Sequence, residues 1–220
     1  MALRKVEIYT RFERFWHWTQ AALIITLLFT GLAIHGTHSL IAFGPAVMIH
    51  TIAAILLLLL WVFATFWLFT TGEWRQYLPT TKNLFKVARY YAFDIFKGKE
   101  HPYVKTWRRK HNPLQALTYM LLKVAIFPAI WMSGIAYLVI SFGLGGQRLT
   151  SWLDVIADVH TIAAIAVLTF VIAHLYILTT GHGFIAHVKG MITGFDEVEM
   201  SEEEYVCLKM EFPNRVIDQG

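Results

Sequence analysis

The sequence predicts an all-α integral membrane protein, a four-transmembrane-helix bundle with an amphipathic helix on the cytoplasmic surface between spans 2 and 3. Three observations predict it. Of the 220 residues, 56% are hydrophobic and only 15% charged, with a mean hydropathy of +0.51, an apolar excess that one soluble core of this size does not bury. Apolar runs of about 20 residues, the length that crosses a bilayer as a helix, occur four times. Lysine and arginine are confined almost wholly to alternate connections between those runs.

The first run covers about residues 15–34. It follows a polar stretch with Arg4, Lys5, Arg11 and Arg14 and shows no small-residue cleavage site, so it reads as a retained helix rather than a signal peptide. A link without lysine or arginine leads to the second run, about 46–71. The loop from Gly72 to Asn112 carries ten basic residues, and within it Leu84, Phe85, Val87, Ala88, Tyr91 and Ile95 alternate with Lys86, Arg89 and Asp94, the pattern of a helix lying on a membrane surface. The third run, about 114–140, and the fourth, about 158–180, are joined by a link whose only basic residue is Arg148. Short basic connections stay in the cytoplasm, so both termini and the long loop are expected inside, in a bacterial or archaeal cytoplasmic membrane. The net charge of +4 is then an orientation signal and calls for no nucleic-acid partner. Residues 1–195 form the membrane domain; residues 196–220 hold eight of the fifteen acidic residues and read as a solvated acidic cytoplasmic tail.

One cysteine, Cys207, excludes disulfide scaffolds, iron–sulfur ligation, cysteine-based zinc sites and covalent c-type haem attachment. The ten histidines are the candidates instead, since an ionisable side chain inside a membrane is costly. The string HTIAAI occurs twice, at His50–Ile55 and His160–Ile165, and opens two spans of the same direction. Both histidines are therefore expected near the outer face. His174 follows His160 by 14 residues, a spacing that returns to within about 40° of the same helix face about 21 Å further on. His17 opens the first span at the depth of His174. The result is an outer pair, His50 with His160, and an inner pair, His17 with His174.

Two imidazoles from facing helices at one depth are the axial ligands that a six-coordinate b-type haem requires, and two such haems make an electron path across the bilayer. The same 14-residue step leads from His17 to Gly31 and from His50 to Ala64, small residues where a flat ring packs against a helix. Other metals remain open, although a transport site gathers histidine with carboxylates at one depth, and the span interiors carry none. Asp154 and Asp158, at the outer entrance of the fourth span, read as interfacial, as do His35, His38, His101, His182 and His187, with His35 in reserve as an outer ligand.

With Phe15-Trp16-His17-Trp18, Thr30-Gly31, His50, Lys110-His111-Asn112-Pro113-Leu114-Gln115, the His160/His174 pair and Met191-Ile192-Thr193-Gly194-Phe195 in view, the chain resembles the dihaem cytochrome b subunits of respiratory nickel–iron hydrogenases and membrane-bound formate dehydrogenases over roughly residues 8–195. That resemblance implies two b haems in the pairing above. It further implies a periplasmic iron–sulfur subunit and catalytic subunit feeding the outer haem, and a quinone, menaquinone or ubiquinone, reacting near the inner one. Asn112 matches the polar residue that lines the quinone pocket, with His111 its helper; the same Asn112-Pro113 also suits a helix N-cap. Arg11, Arg14, Arg108 and Arg109 lie where haem propionates or lipid phosphates are met. The chain has no catalytic centre of its own for hydrogen, formate or sulfur compounds. A stand-alone dihaem cytochrome b, and a haem-free anchor or metal transporter, are the competing readings.

Overall fold

The computed structural model describes residues 2–80, 82–99, 102–103, 110–143, 150–179 and 184–216. Arg108, Arg109, Arg148, His101 and His182, and the side chain of His187, lie outside the described residues. Four helices are long and apolar enough to cross a membrane: Arg11–Ile34, Phe43–Thr71, Pro113–Ser141 and Leu153–Leu178. Each starts earlier than its apolar run, and at the first span capping extends the helix into polar sequence. Thr10 and Glu13 close a reciprocal box, with Thr10 N donating to Glu13 Oε2 at 2.8 Å and Glu13 N to Thr10 Oγ1 at 3.3 Å, which satisfies first-turn donors that otherwise fray.

The third span contains a π-turn at Leu122–Ile126. Pro128 explains its position: proline lacks an N–H and its ring collides with the carbonyl four residues back, here Val124, so the widened turn accommodates the break. Lys123 sits inside that turn. The surface segment expected as one amphipathic helix is three short pieces instead, an α-helix Leu84–Arg89, a π-turn Tyr90–Asp94 and a 3-10 turn Ile95–Lys97. Val87 and Tyr90 are buried while Phe85, Phe93 and Phe96 are exposed, so the amphipathic division survives the irregular backbone.

The chain divides into two compact units. One comprises Ala22–Val62 and Thr118–Tyr176, the middle parts of the four spans. Small residues fill its interior, among them Ala33, Ala46, Ala53, Ser133 and Ala163, while Ile25, Ile52, Val62, Val124, Met132 and Ile162 are exposed. This inversion is what lipid as solvent produces, since large apolar side chains gain nothing by turning inward.

The other unit comprises Met1–Ala21, Phe63–Leu117 and Ile177–Gly220. A strand at Ala2–Glu7 (β1) pairs antiparallel with Phe195–Met200 (β2), from Ala2 opposite Met200 to Glu7 opposite Phe195. Val6, Ile8, Val198, Met200 and Leu208 make its core, with Leu208 supplied by the helix Glu202–Glu211. Ser201 and Glu204 form a capping box that starts this helix. The reading of residues 196–220 as a solvated tail is therefore corrected for residues 196–216: alternation sends Val198 and Met200 to the core and Glu197 and Glu199 outward, and the acidic surplus is the outer face of a folded element.

Gly194 is the pivot of this element. At φ +90° its carbonyl accepts Ile8 N at 2.8 Å and Tyr9 N at 3.1 Å, and a Cβ there would stand 2.7 Å from the Tyr9 carbonyl oxygen. Gly194→Ala should destabilise the pairing of the chain ends by about 1–3 kcal/mol, read as a lower thermal midpoint in detergent and faster proteolysis after residue 190.

Candidate functional site

The site begins with what holds His50 and His160. Both lie in the unit Ala22–Val62/Thr118–Tyr176, and their ring centroids stand 6.3 Å apart at an interplanar angle of 63°. Each is backed by the preceding span. Thr30 Oγ1 lies 3.0 Å from His50 Nδ1, and Ser133 Oγ lies 3.1 Å from His160 Nδ1. The neighbouring glycines complete the support: a Cβ on Gly31 would stand 3.4 Å from His50 Cε1, and a Cβ on Gly134 would stand 3.3 Å from His160 Cε1. A hydroxyl–glycine pair thus lets each helix backbone close on the Nδ1–Cε1 edge of an imidazole.

This arrangement fits a haem iron. A metal sits about 2 Å from an imidazole nitrogen, so two rings on opposite sides of one ion have centres roughly 6 Å apart. With Nδ1 engaged on each ring, Nε2 is the nitrogen left for iron. Among the described residues no group of three or more His, Cys, Asp or Glu gathers as a metal site; a two-ligand site is sufficient where a macrocycle supplies the other four nitrogens.

Gly31 was expected to face the flat ring of a haem; in the structure its nearest neighbour is the imidazole of His50. Gly31→Leu should push His50 out of position, costing about 1–3 kcal/mol of overpacking and abolishing the spectral band of one haem while sparing any other; visible difference spectra check it. Ala64, fourteen residues after His50, is 1% exposed and continues the face formed by Ala53 and Leu57, as Ala163 and Val167 do after His160. His17 belongs to the unit of the chain ends, edge-on to Trp18 at 5.1 Å. His174 belongs to the other unit and is stacked on Phe170 at 5.7 Å and 18°. His35 Nε2 meets Thr161 Oγ1 at 3.3 Å, and His38 Nε2 meets the Phe29 carbonyl at 2.9 Å.

Asn112 is 4% exposed and acts as the N-cap of the third span. Its Oδ1 accepts Gln115 N at 2.8 Å, its own N donates to Gln115 Oε1 at 3.1 Å, and its Nδ2 donates to Tyr91 Oη at 3.2 Å. Burial pushes the Tyr91 hydroxyl above its ordinary pKa, and the Asn112 bond opposes that rise. His111 lies 5.3 Å from the Tyr77 ring. Directly before it, the ammonium of Lys110, with a side chain 3% exposed, meets Glu13 at 2.8 Å and Glu73 at 3.4 Å, while Arg215 approaches Glu73 at 3.6 Å. Sequence reasoning missed this ionic knot, because its members are dispersed along the chain and look like ordinary surface charges. It also missed Ser133-Gly134, although that pair repeats the Thr30-Gly31 that precedes the other HTIAAI copy. Arg14, placed near propionates or lipid, donates to the Ile192 carbonyl at 2.7 Å, and Trp18 Nε1 donates to the Met191 carbonyl at 3.2 Å; these bonds give the Met191–Phe195 motif a structural purpose.

A family model described as prokaryotic cytochrome b561 matches residues 8–194. The chain belongs to that family. It is a membrane cytochrome, and membership implies a b-type haem and electron transfer, in agreement with the resemblance read from its motifs. Over 199 residues, 87% of this chain and 74% of the relative, it is 29% identical to the Escherichia coli (strain K12) protein named "Putative cytochrome YdhU". No solved structure matches the chain significantly. The matched range of the cytochrome b561 model begins and ends at Ile8 and Gly194, the two residues joined by the backbone bond that closes the sheet. The strand pair and the helix Glu202–Glu211 lie outside the matched range.

Proposed function

We propose that this protein is the membrane-anchoring dihaem subunit of a respiratory complex, carrying electrons across the cytoplasmic membrane between a periplasmic iron–sulfur and catalytic partner and the quinone pool. The observation that carries this reading is the facing of His50 and His160 at 6.3 Å with both Nδ1 atoms engaged. The haems supply one-electron carriers when bound. His50 and His160 hold the outer one, and Gly31 and Gly134 let the helices close on those ligands. His17 and His174 hold the inner one, a reading that rests on the 14-residue spacing in the fourth span and the small Ala64 at the matching point of the second. Both termini and the basic loop face the cytoplasm, on the count of lysine and arginine in alternate connections.

Quinone, menaquinone or ubiquinone, reacts beside the first turn of the third span. The positive end of the third span's helix dipole favours negative charge on a quinone oxygen, and His111 with the second amide hydrogen of Asn112 supplies donors. Electrons arriving from outside and protons taken from inside would charge the membrane; with the opposite partner the same path runs in reverse.

Pyridine haemochrome analysis of the purified chain tests the proposal, with two haems per chain expected. None would sink it in favour of a haem-free anchor or transporter, and one would confine the path to the outer pair. Co-purification with an iron–sulfur subunit separates the complex from a stand-alone cytochrome.

A further inference from the structure

The hydroxyl supports of the two outer histidines match. Thr30 has one hydroxyl proton, and its short contact to the Thr26 carbonyl at 2.7 Å takes it. Ser133 likewise donates to the Ala129 carbonyl at 2.6 Å. Each oxygen is left with lone pairs only toward its histidine. A carbonyl from the residue three before the hydroxyl stands beside each ring as well, Leu27 for His50 and Ile130, at 3.0 Å, for His160. A carbonyl cannot donate, and the hydroxyl proton is committed elsewhere, so each Nδ1 must carry hydrogen and each Nε2 must be bare. The tautomer that binds iron is set by the helix in front of each ligand, before any haem arrives.

We propose that Thr30 and Ser133 are positioning residues for the His50/His160 haem, a duplicated device that selects the ligand tautomer and sets the haem's reduction potential. This deepens the dihaem reading and rests on it. An Nδ1–H that donates to an acceptor leaves Nε2 richer in electron density, which favours ferric over ferrous iron; outer hydrogen bonds of this kind tune metal sites broadly. Two independent hairpins, spans one and two and spans three and four, present the same hydroxyl, glycine, carbonyl and histidine. That coincidence argues against ordinary helix packing, which would need only the small residue.

Redox titration of the purified full-length protein, followed by visible spectra of the outer haem, tests the proposal. Thr30→Val combined with Ser133→Ala should raise the reduced-to-oxidised ratio at fixed potential roughly tenfold, about 59 mV for one electron. The exchanged pair Thr30→Ser with Ser133→Thr should restore the wild-type potential. An unchanged potential with full haem occupancy in the first variant overturns the proposal. Should the first variant lose its haem, Thr30→Cys with Ser133→Cys takes its place, because a thiol keeps the volume and weakens the acceptor; a potential equal to wild type then overturns it, and an intermediate rise supports it. A wild-type protein without haem would defeat the dihaem reading itself, a result distinct from each of these.

Discussion

His160→Ala protein should retain one haem per chain against the two that the dihaem proposal expects of the wild type. A b-type haem here has no covalent anchor, because the sequence offers no cysteine pair, so its hold depends on two axial bonds and on packing. Removing one ligand leaves His50 as a lone imidazole and opens a void beside Ser133 and the Ile130 carbonyl, which now meet the ring at 3.1 and 3.0 Å. His50→Ala should give the same loss, and the double substitution should be no worse than either single one. That failure of additivity is the signature of a shared site. Haemochrome stoichiometry with low-temperature spectra reads it directly: two separate losses that sum in the double variant would mean that these histidines serve different groups. His174→Ala should remove the other haem and quinone reduction while leaving the outer haem reducible by its donor.

Lys110→Met should destabilise the protein by about 3–5 kcal/mol, the cost of leaving buried charge without its partner. The Lys110 ammonium is nearly inaccessible and is shared by Glu13 and Glu73, so methionine preserves much of the volume and leaves both carboxylates without that partner, with Arg215 still beside Glu73. Combining it with Glu13→Gln should recover a large part of the loss by removing one of the stranded charges. Unfolding in mixed micelles measures both; a Lys110→Met protein as stable as wild type would show that water reaches the knot and screens it. Because Lys110 directly precedes His111 and Asn112, the single variant should also weaken quinone turnover, with the double variant regaining stability.

The spans were legible because every residue of a lipid-exposed helix meets the same solvent, so apolarity accumulates over many positions and no single contact decides it. Their first turns were not, since Thr10 and Glu13 are polar and only their mutual bonds make them helical. The pairing of His50 with His160 was legible from the repeated HTIAAI string, and their rings stand 6.3 Å apart. The ring supports were not legible, because a threonine or serine in a membrane helix can bond its own backbone or a neighbour, and only the approach of the adjacent helix puts Thr30 and Ser133 against imidazoles. Asn112 shows both sides: its place before Pro113 announced the cap, whereas the bond to Tyr91 depends on how the loop segment folds back.

By itself, then, the sequence determined four helices long and apolar enough to cross a membrane, and it supplied the expectation that histidines at two heights hold the cofactor, since composition and the fixed rise of a helix are local properties. The tertiary structure alone decided which groups hold each imidazole, and that Glu13, Glu73 and Lys110 share one buried knot. It also decided that Ala2–Glu7 pairs with Phe195–Met200. Those outcomes depend on helix rotation and on strands nearly two hundred residues apart in the chain, and hydrogen bonds between distant segments leave no periodic trace in either one.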